Sequence, residues 1–476
     1  MEKIIGREIE QRQLKNIIAS QEAELLAIYG RRRIGKTYLI RNAYERQLIF
    51  EFSGVHHATL HQQLELFSDT MSKATGFPIT TTTSWTHAFT LLIEYIKPLL
   101  KKEKKVVFID EFPWLHTPRS GFMQAFENFW NMWASKEKNL VVVICGSAAA
   151  WMIKNIINNK GGLHNRVTRK IRLMPFTLGE AEAFLKQRKI VLDRYQLIQL
   201  YMVMGGVPQY LKMIEKGESA MLAIDRICFT KDGFLHDEFK NLFNSLFDDA
   251  AMHMNVIKAL AKKGKGLTRN EIIKTCKLQS GGGTTQLLEE LNESGFIEAY
   301  TPFGKNSKDS IYKLVDEYSL FYTKFIENGK LKGAGSWAKY STTSAWISWS
   351  GYAFENICMK HIKQLKTALG IESVHTEHNM WRYVSKEEEN GVQIDLLIDR
   401  QDQCINLCEM KFSINEFEIT KSYAKELQTK IDVFREKSKT RKTVFLTIVT
   451  TNGVKNFGKY IGLVQKEIKM NALFKN

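Results

Sequence analysis

The sequence lacks any run of about 18 apolar residues, the length that a helix needs to cross a bilayer. The start of the chain, Met1–Gly6, also lacks the apolar core of a secretory signal. The six cysteines are scattered, and only Cys404 and Cys408 lie close together, without a matching second pair. We therefore expect a cytoplasmic protein with no membrane span, no disulfide framework and no zinc site.

Acidic side chains are the scarcer charged group in this chain. The 476 residues include 51 Asp and Glu against 68 Lys and Arg, which gives a formal net charge of +17. This excess favours an anionic partner such as nucleic acid, although phosphate substrates or solubility also account for part of it. The length accommodates roughly three domains, and the hydrophobic share of 44% suits packed cores.

A phosphate-binding motif, G-x-x-x-x-G-K-[ST], lies between the apolar run Leu25–Tyr29 and the segment Tyr38–Tyr44. The run has the length of a buried strand and the segment has the pattern of a helix, which is the context in which this motif binds phosphate. Its glycines permit backbone angles that a side chain would forbid, so that the loop amides point at one anion. The predicted ATP-binding residues of this motif are Gly30, Arg31, Arg32, Arg33, Ile34, Gly35, Lys36, Thr37 and Tyr38.

A second motif, Lys105–Phe112, follows about 70 residues later and has an apolar run that ends in two acids. Such a segment is typical of a buried parallel strand that delivers carboxylates to its C-terminal end. We expect Lys36 to contact the β- and γ-phosphates of ATP and the Thr37 hydroxyl to bind Mg²⁺. Asp110 would hold the same Mg²⁺, and Glu111 would act as the base that orients the attacking water.

With the segment Ile5–Glu8 ahead of the loop, these motifs resemble the AAA+ ATPases of the origin-recognition and signal-transduction branches. The resemblance implies that Ile5–Glu8 packs beside the adenine. It also implies that Ser147, which ends the apolar strand Leu140–Ser147, approaches the γ-phosphate; the alternative is that Ser147 is the N-cap of the next helix. Finally, it implies that Pro208, after the helix break at Gly205–Gly206, contacts the nucleotide from a helical lid.

An arginine in the segment Gly161–Pro175 has two interpretations that remain open. In the ATPases that the chain resembles, an arginine just before such a strand acts on the nucleotide of a neighbouring subunit. Arg166 is the best positional match and Arg169 is the second. A guanidinium suits this role because it stabilises charge on a transferring phosphoryl group. This role is compatible with a homo-oligomer. The alternative is a solvated basic turn.

The segment Met252–Leu314 contains three helical stretches followed by two alternating strands, which predicts a winged helix-turn-helix. Thr268–Glu271 predicts a capping box at the start of the second helix. Because the segment has a modest basic excess, the leading hypothesis is DNA binding through the third helix and the wing. The alternative is docking of a protein partner, since Glu289, Glu290 and Glu293 on the third helix would repel phosphates.

The last third of the chain carries acids and a lysine in the order of the D…(E)xK pattern of restriction-endonuclease-like nucleases. Asp395 lies on one predicted strand, and Glu409 and Lys411 lie on one face of the next. Glu355, early in a helix, would complete a Mg²⁺ shell with Asp395 and Glu409, because a hard cation prefers oxygen ligands. Lys411 would position water or stabilise the pentavalent phosphate. The alternative is a nuclease fold that is kept for docking.

The neighbouring segments have simpler interpretations. A helix over Thr420–Phe434 and an apolar strand over Thr443–Val449 fit the same fold. We expect Asp399 to be a solvated charge near a turn. The basic cluster from Arg435 to Lys442 either holds a DNA backbone or forms a solvated helix end.

From Gly6 to Val449 the chain resembles archaeal-type ATPases that fuse a phosphate-loop ATPase and a winged helix to a restriction-endonuclease-like domain. The resemblance implies an α/β fold with a P-loop ATPase parallel sheet. The predicted domains are an AAA+ ATPase core (1–175), a helical lid (176–250), a winged helix (251–330) and an α/β nuclease domain (340–476). We expect ATP hydrolysis coupled to DNA binding and metal-dependent DNA cleavage; the alternative is a nucleotide-switched scaffold for protein partners.

Overall fold

The computed structural model describes residues 4–383 and 391–475, which form two compact units. The first unit comprises the described residues up to Pro175 together with Leu242–Ala250 and Leu287–Ser294. The second comprises Phe176–Asn241, Ala251–Gln286 and the described residues from Gly295 onward. Within these described residues, no helix combines the length and the apolar character that a membrane crossing requires.

The first unit is built on a five-stranded parallel sheet with the strand order β2-β3-β4-β1-β5. The strands are β1 (Glu24–Tyr29), β2 (Leu48–Ser53), β3 (Lys105–Asp110), β4 (Leu140–Gly146) and β5 (Arg169–Arg172). Helices cover both faces, so the central strands are nearly continuous apolar runs. Neighbouring residues of β4, such as Val141 and Val142, accordingly belong to two separate hydrophobic cores. This sheet confirms the predicted α/β fold with a parallel sheet of P-loop ATPase type.

Six helices lie between and beside these strands in the first part of the chain. They are α1 (Glu8–Ala19), α2 (Lys36–Ala43), α3 (Leu60–Thr75), α4 (Trp85–Ile96), α5 (Phe122–Asn128) and α6 (Ala149–Met152). Helix α2 begins at Lys36, directly after the phosphate-binding loop, and not at Tyr38 as predicted. Its first turn therefore includes the lysine and the threonine of the motif, and its N-terminal amides face the loop.

Further short helices and a small sheet follow along the chain. The helices are α7 (Leu178–Gln187), α8 (Arg194–Met204), α9 (Pro208–Leu211), α10 (Ala220–Phe229), α11 (Glu238–Asn244), α12 (Ala250–Ala261), α13 (Arg269–Cys276) and α14 (Gly282–Glu293). The antiparallel sheet, in the order β6-β8-β7, consists of β6 (Leu267–Thr268), β7 (Ile297–Tyr300) and β8 (Ile311–Leu314). The predicted capping box is present, because the Thr268 hydroxyl and the Glu271 carboxylate each accept a hydrogen bond from the other residue's amide. The winged-helix interpretation stays a prediction.

The C-terminal part of the second unit contains a mixed five-stranded sheet in the order β13-β12-β11-β10-β9. Its strands are β9 (Thr376–Tyr383), β10 (Val392–Arg400), β11 (Cys404–Lys411), β12 (Thr443–Thr450) and β13 (Lys466–Lys469). Four helices precede the sheet: α15 (Glu317–Phe321), α16 (Ser336–Tyr340), α17 (Ser344–Lys360) and α18 (Ile362–Leu369). A fifth helix, α19 (Lys421–Ser438), lies between β11 and β12 in the sequence. Strands β9, β10 and β11 are antiparallel neighbours, whereas β11, β12 and β13 are parallel. Helix α19 is the crossover between β11 and β12, since parallel neighbours need such a connection.

Candidate functional sites

The phosphate-binding loop needs glycine at both of its ends. Gly30 has φ 143° and Gly35 has φ 88°, values that L side chains rarely adopt. A Cβ added at Gly30 would lie 2.3 Å from the carbonyl oxygen of Leu173, which is closer than atoms can pack. Gly35 is the N-cap of α2 and has open space around it. The loop therefore presents its backbone to a space at the helix N-terminus, where an anion is favoured.

Lys36 is buried and folds back over the loop. Its ammonium donates hydrogen bonds of 3.0 Å to the carbonyl oxygens of Gly30 and Arg31. The Arg7 guanidinium, which belongs to the segment Ile5–Glu8 ahead of the loop, donates to the carbonyl oxygen of Ile34 at 3.4 Å. The Lys36 ammonium therefore lies at the loop as a cation that is hydrogen-bonded to backbone carbonyl oxygens. Tyr38, in contrast, is exposed.

Thr37 and Asp110 meet across the site, as expected for a magnesium centre. The Thr37 hydroxyl donates to Asp110 Oδ2 at 2.6 Å. Asp110 ends strand β3, which lies next to β4 in the sheet, while Thr37 is in the first turn of α2. A hydroxyl and a carboxylate are the oxygen ligands that Mg²⁺ prefers, so these two side chains fit such an ion.

Glu111 and Ser147 form a second polar pair at the same edge of the sheet. The Ser147 hydroxyl donates to Glu111 Oε1, and the Ser147 amide donates to Glu111 Oε2 at 3.1 Å. The N-cap of α6 is Ala148, so the alternative prediction of Ser147 as a helix cap is wrong. The hydroxyl is instead used to hold the carboxylate of the predicted base.

The two arginines considered for action on a neighbouring subunit differ in their surroundings. Arg166 is exposed. Arg169 is also exposed, but its guanidinium lies 3.4 Å from the carboxylate of Glu24, which partly satisfies its charge. Pro208 begins α9 in the second unit, whereas the phosphate-binding loop lies in the first. Contact of Pro208 with a nucleotide therefore stays a prediction.

The acids of the predicted nuclease site lie together in the second unit. Leu396 of β10 pairs with Cys408 of β11, which brings Asp395 and Glu409 to the next positions of the two strands. Glu355 on α17 and Lys411 line the same cavity of about 360 Å³ as these two acids. Four residues that are separated by up to 56 positions in the sequence thus meet at one opening.

Burial and mutual repulsion change the protonation of this cluster. Burial, followed by the negative charge of Glu355, raises the pKa of Asp395 to about 6. Burial, followed by the charge of Asp395, also raises the pKa of Glu409, against the opposing effect of Lys430. The pKa of Glu355 is raised by burial as well. Carboxylates that are costly to ionise in this way gain from a bound cation.

Lys430 on α19 is a member of this site that the sequence analysis missed. Its ammonium lies 2.8 Å and 2.9 Å from the two carboxylate oxygens of Glu409, whereas that of Lys411 lies 4.0 Å away. The Tyr423 hydroxyl donates to the same carboxylate at 3.3 Å. Among residues 4–383 and 391–475, no three acids, histidines or cysteines come close enough to form a metal shell. The metal shell of Glu355, Asp395 and Glu409 therefore stays a prediction, and Lys430 neutralises Glu409 in the described structure.

A sequence signal for Lys430 exists in retrospect. It lies three residues after Leu427 and four before Phe434, both of which are fully buried. These spacings place all three side chains on one face of a helix, so a lysine there requires a buried partner. The prediction of a solvated Asp399 was wrong for a similar reason, since Lys442 donates to its carboxylate at 2.5 Å.

Comparisons with known proteins agree with the geometry of the first site. Residues 4–214 match a family described as an ATPase domain predominantly from Archaea. An uncharacterised protein of Methanocaldococcus jannaschii is 23% identical over 471 residues, which is 98% of this chain and 96% of that protein. The Walker-type ATPase of Pyrococcus abyssi is similar in structure, with a TM-score of 0.50 and 16% identity over 68% of this chain and 97% of that one. The ORC2 protein of Aeropyrum pernix has a TM-score of 0.41 and 14% identity over 72% of this chain and 96% of that one.

The sheet, the loop and the family match together define a class of protein. The N-terminal part of the chain has the fold of a P-loop ATPase and is similar to ATPase domains of the archaeal type. The match ends at residue 214 and so does not extend to the segments with the small sheet or the carboxylate cavity.

Proposed function

We propose that this chain hydrolyses ATP at its phosphate-binding loop and couples the nucleotide state to DNA binding and metal-dependent DNA cleavage. The observation that carries the ATPase part is the meeting of Thr37 with Asp110 and of Ser147 with Glu111 at the loop. The cleavage part is supported by Asp395 and Glu409 on neighbouring strands with Lys411 beside them.

In the proposed hydrolysis, the loop amides and the N-terminus of α2 bind the phosphates of ATP. Lys36 leaves the carbonyl oxygens of the loop and contacts the β- and γ-phosphates. Glu111 orients the attacking water and accepts its proton, while Ser147 holds the carboxylate in position. Mg²⁺, when bound by Thr37 and Asp110, supplies charge neutralisation on the phosphate oxygens. Arg166 of a neighbouring copy stabilises the charge that develops on the transferred group.

In the proposed cleavage, Asp395, Glu409 and Glu355 hold a divalent cation, and Lys411 stabilises the phosphate that is attacked. The cation supplies an activated water and offsets the charge of the phosphodiester. The raised pKa of Asp395, at about 6, is consistent with a site that favours a positive ligand. The winged helix would bind the DNA that this site receives.

A second function is favoured by one specific observation. Lys430 already neutralises Glu409 at 2.8 Å, which is the arrangement expected of a nuclease fold that no longer binds a metal. Under this hypothesis the chain is a nucleotide-switched scaffold that binds protein partners through the winged helix and cuts nothing.

ATPase and DNA-cleavage assays on one set of variants distinguish these functions. We expect Lys36→Ala and Glu111→Gln to abolish ATP hydrolysis, because the first removes the cation that contacts the phosphates and the second removes the base that orients the water. We expect Glu409→Ala and Lys411→Ala to abolish DNA cleavage in Mg²⁺ or Mn²⁺ but to leave ATP hydrolysis unchanged. Glu436→Ala, at an exposed position on α19, is the matched control for Glu409. Wild-type protein that hydrolyses ATP but leaves all DNA forms intact would favour the scaffold.

A further inference from the structure

The mouth of the carboxylate cavity carries a basic loop that belongs to a different segment of the second unit. The loop Lys262–Gly266 joins α12 to β6, and its lysines Lys262, Lys263 and Lys265 are all exposed. Lys265 lines the cavity together with Asp395 and Glu409. The basic loop is therefore in place to contact a polyanion that extends from the cavity.

The position of the basic loop is fixed by packing on both sides. A Cβ added at Gly264 would lie 3.1 Å from the ring of Tyr352, which also lines the cavity. A Cβ added at Gly266, which has φ 81°, would lie 2.5 Å from Ile311 and 2.7 Å from the carbonyl oxygen of Tyr312. The loop backbone thus fits closely between α17 and β8, and its lysines extend from a defined base.

Two neutral groups in the cavity suit an unpaired base. The Tyr352 side chain is 39% exposed, so part of it is available to a ligand. Gln393 precedes Asp395 by two residues on β10 and so lies on the same strand face. Its Oε1 atom is buried and has no hydrogen-bond partner among the described residues. A nucleic-acid base in the cavity would stack on the Tyr352 ring and donate a hydrogen bond to Gln393 Oε1. In a duplex, the face of each base is stacked and its edge is paired, so only an unpaired base can make both contacts.

The third helix of the predicted winged helix is less suited to this contact. Glu289 is exposed on it, and Glu293 lies 3.3 Å from the guanidinium of Arg172. The acids of this helix repel phosphates, whereas the basic loop carries only positive side chains.

We propose that the basic loop and Tyr352 form the binding surface for single-stranded DNA, which they lead into the carboxylate cavity. This inference rests on the proposed nuclease function and names its substrate class. The lysines contact successive phosphates, Tyr352 stacks on one base, and Gln393 accepts a hydrogen bond from that base. The phosphodiester next to this base then lies beside Asp395 and Glu409.

The test is fluorescence anisotropy with the full chain and labelled single-stranded DNA, duplex DNA and single-stranded RNA, in EDTA and over a range of salt concentrations. We expect replacement of Lys262, Lys263 and Lys265 by Ala to weaken single-strand binding about tenfold or more and to reduce the salt slope by about 2, because each phosphate contact contributes about 0.7. The matched control replaces the exposed residues Lys330, Lys332 and Lys339 by Ala, and it should bind as the wild type does.

A second variant tests stacking separately from charge. Tyr352→Ala should weaken single-strand binding about tenfold, since a stacked base contributes about that much, without changing the salt slope. Equal losses in the basic-loop variant and the lysine control, or equal affinity for duplex and single strand, would overturn the inference. Preference for RNA over DNA would overturn the assignment of the substrate.

Cleavage assays separate this inference from the proposed function. If wild type cuts DNA in Mn²⁺ and the basic-loop variant binds and cuts equally well, the inference is wrong and the nuclease proposal stands. If single strands bind through the basic loop but are never cut, the nuclease proposal is wrong and the binding surface stands. A chain that binds no single strands at low salt would overturn the inference directly.

Discussion

Glu111 shows how single residues are held at the ATPase site. Its backbone has φ 43°, a left-handed conformation that is uncommon for a residue other than glycine. Its amide donates to Asp110 Oδ1 at 2.9 Å, and its carboxylate accepts from the amide of Ser147 at 3.1 Å. These hydrogen bonds therefore hold the Glu111 backbone in an unfavourable conformation. Strained residues of this kind are common in active sites, where a side chain must have a fixed orientation.

Ser147→Ala tests whether the serine positions Glu111. We expect kcat for ATP hydrolysis to fall about 10- to 100-fold, because a hydrogen bond to a charged group contributes about 1.5–3 kcal/mol. The KM for ATP should change little, since the loop that binds the phosphates is intact. Steady-state kinetics give both constants, and Ser135→Ala is the control, because the Ser135 hydroxyl donates to the backbone carbonyl oxygen of Asn131. A variant with normal kcat would show that the serine has no positioning role.

Lys430→Met tests the ion pair in the carboxylate cavity. The variant leaves Glu409 buried without its nearest cation, so we expect a loss of about 3 kcal/mol in the free energy of unfolding. Mn²⁺ should recover part of this loss if the carboxylates bind a cation. Thermal unfolding with and without Mn²⁺ measures both effects, and Lys425→Met, exposed on the same helix, is the control. No response of either protein to Mn²⁺ would argue against a metal site.

The sequence predicts residues well where a motif fixes their spacing and poorly where tertiary packing recruits them. Gly30 and Lys36 are predictable because the spacing of the motif brings them together in one loop. Lys430 reaches Glu409 only because α19 crosses from β11 to β12, and Tyr352 reaches the basic loop through packing against Gly264. Contacts of this kind depend on the fold of distant segments, which the local pattern of side chains does not contain.

At the scale of elements, strands were predicted more closely than helix ends. Strand β4 was predicted to within one residue, because a buried parallel strand is a continuous apolar run. Helix α19 was predicted to end at Phe434, yet it continues to Ser438. Its last turn carries Arg435 and Lys437, the first two residues of the basic cluster. Hydrophobic spacing marks the buried face of a helix but not its solvated last turn.

The junction of α7 with α17 and α18 makes the second unit sensitive to acid. His361 is buried, its Nε2 accepts from the amide of Leu178 at 2.9 Å, and its Nδ1 lies 2.7 Å from the carbonyl oxygen of Ile357. Burial lowers the pKa of His361 to about 4. Between about 6.5 and 4 the unfolded chain therefore binds a proton that the folded chain does not, so stability falls as the pH falls through this range.

His361→Gln should reduce this dependence on pH. The amide oxygen of Gln still accepts a hydrogen bond but does not titrate, so the acid-induced loss should shrink by roughly 3 kcal/mol, the free energy of a 2.5-unit difference in pKa. Urea unfolding at pH 7 and pH 4 measures the change, and the exposed His375→Gln is the control. If both variants keep the pH dependence of wild type, other groups cause it.

At the scale of the whole molecule, the proposed action of an arginine on a neighbouring copy depends on which arginine of the first unit is accessible. Arg166 is exposed, and Arg169 lies 3.4 Å from Glu24. A guanidinium that acts on the γ-phosphate of another copy must be accessible before the copies assemble. Arg166 meets this requirement better than Arg169, whose guanidinium lies beside Glu24. Such an arginine contributes about 1,000-fold or more to kcat, so the isolated chain would be a slow ATPase and activity would rise with protein concentration.

Mixing two inactive variants tests this directly. Arg166→Ala retains an intact phosphate-binding loop, and Lys36→Ala retains an intact arginine, so each alone should be almost inactive. In a mixed assembly some interfaces combine the intact loop of one copy with the intact arginine of another, and ATP hydrolysis should return. The control mixes Arg166→Ala with the double variant that lacks both groups, which offers no complete interface and should stay inactive. If the first mixture is as inactive as its parts, Arg166 does not act across a subunit boundary.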